Sequence, residues 1–162
     1  MPEEDLHCLV EIPKGSRNRY KWDEGLEAIK LDRFLYSSVV FPTDYGFIPQ
    51  TLATDGAALD AMVCVTEPTF PGCVIGVKAI ALLQVRDDAG VDDKVLCVPL
   101  GDPQWNHMEH LDDLPEQLRD EIVHFFSMDR RPQGVEVTVE GWRSSDDALA
   151  VVRESRERFT PE

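Results

Sequence analysis

The sequence predicts a mainly β protein of the α+β class, a single domain over residues 1–162 in which a β-barrel-like core is flanked by two main helices. Three observations predict it. Short runs rich in Val, Ile and Leu recur between Gly, Pro and Asp, a spacing that favours a barrel or sandwich over alternating βαβ units. Two segments near the end carry the helical period instead. The 162 residues, 43% hydrophobic and 29% charged, supply the apolar mass for one core and show no internal repeat, low-complexity tract or linker.

Residues 6–12 (LHCLVEI) form an apolar run closed by Pro13 and by the polar stretch Lys14-Gly15-Ser16-Arg17-Asn18, the pattern of a strand followed by a turn. Further strands are expected at 29–31, 61–65, 74–85, 94–98 and 134–139. Asp112 and Asp113 can cap a helix with Pro115 near its first turn, where Leu118, Ile122, Val123 and Phe126 fall on one face. A second helix starts from a Ser144 or Ser145 cap. Asp146 and Asp147 suit its positive first turn, Leu149, Val152 and Phe159 form its apolar stripe, and Arg153, Arg156 and Arg158 suit its C-terminal end.

Lys and Arg total 16 against 31 Asp and Glu, a formal net charge of −15 at pH 7. Binding to nucleic acid or to an anionic membrane needs a basic face, so both are excluded as expected partners. Cys8, Cys64, Cys73 and Cys97 lie in or beside apolar runs without CxxC spacing and read as reduced core residues. No segment has the apolar length of a membrane span, and the acidic start Met1-Pro2-Glu3-Glu4-Asp5 is the reverse of a basic signal region, so a cytoplasmic location is expected. His7, His107, His110 and His124 form no metal-spaced set and read as surface or packing residues.

The informative stretch runs over residues 41–94. Asp55 and Asp60 flank a Gly turn, and Asp87 and Asp92 stand five apart around Ala89-Gly90, so two loops can point carboxylates at one cleft. Hard divalent cations take such oxygen ligands together with substrate phosphate. Asp-Gly and Asp-Asp-Ala-Gly are also ordinary solvated turns, and spacing leaves both readings open.

From residue 9 to residue 159 the chain resembles the soluble family I inorganic pyrophosphatases. The likeness rests on Glu11-Ile12-Pro13-Lys14-Gly15-Ser16-Arg17-Asn18, Leu31-Asp32-Arg33, Pro42-Thr43-Asp44-Tyr45-Gly46-Phe47-Ile48-Pro49, Thr66-Glu67-Pro68-Thr69-Phe70-Pro71-Gly72, Asp92-Asp93-Lys94, Gly101-Asp102-Pro103 and His124-Phe125-Phe126. It implies a five-stranded OB-like β-barrel with flanking helices, a homohexamer, and Mg²⁺-dependent hydrolysis of inorganic diphosphate, with Mn²⁺ the alternative cation. Diphosphate repels an attacking water unless cations neutralise its oxygens, which is why such a site combines metal-holding carboxylates with Lys and Arg.

By this resemblance Asp55, Asp60 and Asp92 match ligands of the activating metals, and Asp87 with Asp92, helped by Glu11, matches the site of metals that arrive with substrate. With Tyr45 in the wall, Asp55, Asp60 and Asp92 make the catalytic centre. Arg33 and Lys94 match phosphate-binding cations. Departures are equally specific. The family's DGDPxD loop reads Asp55-Gly56-Ala57-Ala58-Leu59-Asp60, so the carboxylate that contacts the attacking water is replaced by a methyl group. The family's Lys-Tyr-Glu reads Arg19-Tyr20-Lys21, Phe41 replaces a frequent tyrosine, and the Tyr-Lys pair that grips the leaving phosphate reads Asp129-Arg130. Metal carboxylates persist while the base and much of the clamp have changed. The expected function is therefore phosphoanhydride hydrolysis, nominally of diphosphate, weak or altered because of Ala57, Lys21 and Asp129; hydrolysis of an organic phosphate or diphosphate, or a silent metal-binding or scaffold role, are the alternatives.

Overall fold

The computed structural model describes residues 6–159, and the acidic stretch of residues 1–5 lies outside them. Nine strands are present in the described residues: β1 (His7–Ile12), β2 (Asn18–Asp23), β3 (Ala28–Phe34), β4 (Asp44–Ile48), β5 (Leu59–Val63), β6 (Val74–Asp87), β7 (Gly90–Val91), β8 (Lys94–Pro99) and β9 (Thr138–Arg143). Helix α1 spans Glu116–Met128 and α2 spans Ser145–Phe159. Strands β1, β4, β5, β8 and β6 pair in that order, and β6 returns to pair with β1, which closes a five-stranded barrel. All its pairings are antiparallel except β5 with β8. The far end of the 14-residue β6 outruns the barrel and carries β7 and β9, while β2 and β3 form a separate hairpin.

The central strands are buried on both faces, which explains their unbroken apolar runs. Along β8, Leu96 and Val98 join one core cluster with Ile122, Phe125 and Phe126 of α1, while Val95 and Cys97 join a second with Ala148 and Val152 of α2. Gly46 on β4 is dictated by this closure: a Cβ there would lie 1.9 Å from the Leu9 carbonyl oxygen of β1. Cys8, Cys64 and Cys97 are buried free thiols, whereas Cys73 is half-buried rather than core. Among the described residues no helix is long and apolar enough to cross a membrane.

Several boundaries differ from the sequence reading. Strands β2 and β4 were not among the expected ones, because β2 (NRYKWD) turns polar side chains toward a cavity and β4 (DYGFI) begins at Asp44 and contains Gly46, both turn signals. The strand expected over 134–139 starts later, at Thr138, since residues 131–134 make a short 3₁₀ turn that ends at Gly134 with φ 76°. Asp112 and Asp113 do not cap α1: they belong to a preceding 3₁₀ turn, where the Asp113 carboxylate accepts the Glu109 and His110 N–H groups, and Pro115 stands at the α1 N-cap. Ser144 does cap α2, its Oγ accepting from Asp147 N at 3.1 Å. Phe159 is 46% exposed and leaves the α2 stripe, whereas Val152 is buried as expected, together with Ala148, and Leu149 packs against the same cluster.

Gly46→Ala is expected to lower stability by at least about 2 kcal/mol through overpacking against backbone, seen as a thermal midpoint at least about 4 °C lower. Gly101→Ala, where an added Cβ meets nothing within 4 Å, should leave the midpoint nearly unchanged. Equal midpoints for the two variants would contradict the close β1–β4 approach.

Candidate active site

A cavity of about 430 Å³ opens between the β2–β3 hairpin, one end of the barrel and the C-terminal end of α1. Two backbone irregularities shape its rim. Val10 pairs with Gly46 and Ile12 with Tyr45, so Glu11 is the extra residue of a β-bulge; on the hairpin Arg19 pairs with Arg33 and Tyr20 with Leu31, so Asp32 is another. Bulges re-aim side chains, and both carboxylates line the cavity.

Lys94 begins β8 directly opposite Asp60 of β5, and Asp92 precedes it by two residues. Its ammonium is buried and donates to Tyr45 Oη at 2.7 Å and to Asp60 and Asp92 at 3.1 Å each. Burial alone would lower the Lys94 pKa, but the Tyr45 oxygen and the two carboxylates outweigh it and hold the amine protonated. Beneath it lies an aromatic floor: Tyr45 and Phe126 are 5.8 Å apart between ring centroids, Phe41 and Phe125 4.4 Å, and the Lys94 nitrogen sits 5.1 Å from the Phe126 centroid.

The other carboxylates come from loops. Asp55 accepts the Ala57 N–H at 3.0 Å across a turn whose Gly56 has φ 89°, a conformation that favours glycine. Asp87 accepts the Ala89 N–H at 2.9 Å and the Arg130 guanidinium at 2.8 Å. Slight burial pushes Asp87 up, but these donors more than offset it and its pKa lies below the usual range. Arg19 donates to Asp129 at 3.0 Å, and burial raises the Asp129 pKa against the pull of Arg19. Glu11 is driven to about 7, chiefly by burial and further by the charge of Asp60, against the Trp22 N–H donated to it at 2.9 Å. Burial likewise raises Asp92 despite Lys94.

Every catalytic, substrate-binding and metal residue expected from the sequence lines this one cavity: Asp55, Asp60, Asp87, Asp92 and Glu11 among the carboxylates, Arg19, Arg33, Lys94 and Arg130 among the cations, with Tyr45 and Asp129; Phe41 is packed in the core instead. Ala57 and Lys21 line it too. Two lining residues escaped sequence reasoning, Trp22 and Glu24, joined by an indole hydrogen bond of 3.0 Å; the Asp23-Glu24-Gly25 turn was the available signal for their hairpin.

The donor set fits a hard divalent cation. It is all oxygen, and burial, with the charge of Asp60 added, leaves Glu11 only partly ionised at neutral pH. Among the described residues no three His, Cys, Asp or Glu side chains are drawn together in metal-binding geometry. The Lys94 ammonium instead stands between Asp60 and Asp92 and offsets one of their two charges.

Comparison with known proteins shows the family. The family model described as inorganic pyrophosphatase matches residues 8–160. A protein of Methanosarcina acetivorans named inorganic pyrophosphatase is 53% identical over 151 residues, covering 93% of this chain and 90% of the relative. Its namesake from Methanosarcina mazei is 48% identical over 161 residues, covering 99% and 95%. The crystal structure of inorganic pyrophosphatase from Thermus thermophilus superposes with a TM-score of 0.92 at 42% identity, covering 96% of this chain and 91% of that one. With its closed five-stranded barrel and its matched length, the chain belongs to family I of the inorganic pyrophosphatases.

Proposed function

We propose that this chain hydrolyses inorganic diphosphate to two phosphates at the cavity beside the β2–β3 hairpin, with Mg²⁺ as its cation, and more slowly than a member with an aspartate at the position of Ala57. The observation that carries the reading is the meeting of eight carboxylates, Asp55, Asp60, Asp87, Asp92 and Glu11 among them, with Arg19, Lys21, Arg33, Lys94 and Arg130 in one cavity of about 430 Å³. A polyanion of diphosphate's charge density calls for such a set.

Asp55, Asp60 and Asp92 would hold an activating divalent cation, and Asp87 with Glu11 would serve those that enter with substrate; such a cation would supply charge neutralisation at phosphate oxygens and a more acidic water. Lys94 supplies a positive charge beside Tyr45 at the cavity wall, its three N–H groups already given to Tyr45, Asp60 and Asp92. Arg33 and Arg130 each have a buried Nε without a hydrogen-bond partner, spare donors for phosphate oxygens. Arg19 and Arg130 are already paired with Asp129 and Asp87, so a phosphate must compete with carboxylates of the protein for them. Ala57 keeps the loop's backbone turn but offers no group to take a proton from water.

Assembly as a homohexamer and a cytoplasmic location complete the reading. Leu26, Leu31, Phe34, Tyr36, Phe70, Val74 and Leu100 are large apolar side chains left exposed on the single chain, which supports burial between copies.

Phosphate release from diphosphate, measured with Mg²⁺ and again after chelation, should fall by about 100-fold or more without the cation. Retained turnover in chelator would contradict the metal's role, and absence of turnover under both conditions would favour a scaffold. Ala57→Asp restores the missing carboxylate and should raise kcat at least about tenfold, since general-base assistance contributes roughly 10²–10⁴-fold. An unchanged kcat would shift the limitation to the clamp at Arg19, Lys21, Asp129 and Arg130.

A further inference from the structure

Two ion pairs of the cavity set an arginine against a carboxylate, and only one of those carboxylates is expected to hold metal. Arg19 faces Asp129, whereas Arg130 faces Asp87 at 2.8 Å. Asp87 ends β6 and Arg130 follows α1, so the second pair joins positions 43 residues apart in the chain. Both oxygens of Asp87 have a donor: Oδ1 accepts the Ala89 N–H at 2.9 Å, and Oδ2 accepts the Arg130 guanidinium. A cation of the protein thus stands against a carboxylate expected to face a divalent one.

Lys94 is placed in a similar way between Asp60 and Asp92, but it is pinned. Its side chain is only 5% exposed and makes three hydrogen bonds. Arg130 is held far more lightly. Its side chain is 32% exposed, its Nη1 makes the hydrogen bond to Asp87, and its buried Nε has no partner among the described residues. A buried donor left unpaired is costly, so the guanidinium gains by turning to an acceptor that engages more of its fork, as a phosphate does. The backbone need not follow, because the Arg130 carbonyl oxygen is anchored by the Gln133 N–H at 3.1 Å and the Val135 N–H at 3.3 Å.

We propose that Arg130 changes partners: it neutralises Asp87 in the metal-free protein and gives its guanidinium to a phosphate oxygen when a divalent cation takes over that carboxylate. The inference rests on the hydrolytic reading above and supplies a cause for the pairing of substrate with the metals expected at Asp87. Cation and phosphate favour each other because each removes the other's competitor, and such coupling is reciprocal. Arg19 has no such exchange open to it, since its partner Asp129 is not among the expected metal ligands.

The test reads binding alone. Mg²⁺ is titrated calorimetrically into the phosphate-free protein, and inorganic phosphate into the protein in Mg²⁺, for the intact chain, Arg130→Gln, Arg131→Gln and the double variant Arg130→Gln with Asp87→Asn. Relieved of its competitor, Asp87 should let Arg130→Gln take Mg²⁺ about fivefold more tightly, while phosphate binds about three- to fivefold more weakly, the scale of a partly exposed ion pair. Opposite signs in one variant are what a merely structural arginine would not give. Arg131→Gln removes the same charge from an exposed neighbour and should change either affinity by less than about twofold, since exposed charges are screened. The double variant should lose the gain in Mg²⁺ affinity. Equal Mg²⁺ affinity in Arg130→Gln and Arg131→Gln, a gain that survives in the double variant, or phosphate binding that does not weaken would each overturn the exchange, and diphosphate turnover by the intact chain would then still uphold the hydrolytic reading. No Mg²⁺ uptake by any of the four proteins would overturn the metal reading and the exchange together.

Discussion

The buried ammonium of Lys94 is the contact on which the site's arrangement depends. It draws together Tyr45 from β4, Asp60 from β5 and Asp92 from the approach to β8, three positions that strand pairing brings to the same end of the barrel. One positive charge facing two carboxylates leaves a negative excess, and that excess spreads. Burial, with the charge of Asp60 added, brings Glu11 to a pKa of about 7. Removing one member of such a buried group leaves an uncompensated charge, at about 3–5 kcal/mol. A cation entering beside Lys94 acts in the opposite sense, stabilising every carboxylate at once.

The departures from the family pattern fit this electrostatic frame. The loop around Ala57 keeps its shape because the turn is made by the Asp55 carboxylate and the Ala57 N–H, neither of which needs a side chain at position 57. What is lost is chemistry, not conformation. Phe41 is 1% exposed and packs under Arg19 and against Phe125, a place where a hydroxyl would need a partner. Asp129 engages Arg19 and Arg130 engages Asp87, so the altered clamp is neutralised internally before any phosphate arrives.

Much of this was legible in the sequence, for a physical reason. Strands β6 and β8 are buried on both faces and therefore write continuous apolar runs, and the two helices write 3.6-residue stripes. The hairpin β2–β3 was half hidden because one of its faces serves the cavity and carries charge where a core strand would carry Val or Ile. Bulges at Glu11 and Asp32 leave no mark on composition, yet they set which way two carboxylates point. At the site, the spacings Asp55 to Asp60 and Asp87 to Asp92 suggested two acidic loops, and the family likeness supplied their convergence. The ion pairs between Arg19 and Asp129, 110 residues apart, and between Arg130 and Asp87, 43 apart, arise only from the folded arrangement.

The central claim is that crowded carboxylates around Lys94 form a seat for a divalent cation. Calorimetric titration of Mg²⁺ into the intact protein at pH 7 tests it most directly. Saturable uptake is expected, with protons released as Glu11 yields the share it holds near its pKa of about 7, and with affinity lost when Asp60 and Asp92 are both replaced by Asn. No uptake of Mg²⁺ or Mn²⁺, or uptake indifferent to that double replacement, would contradict it.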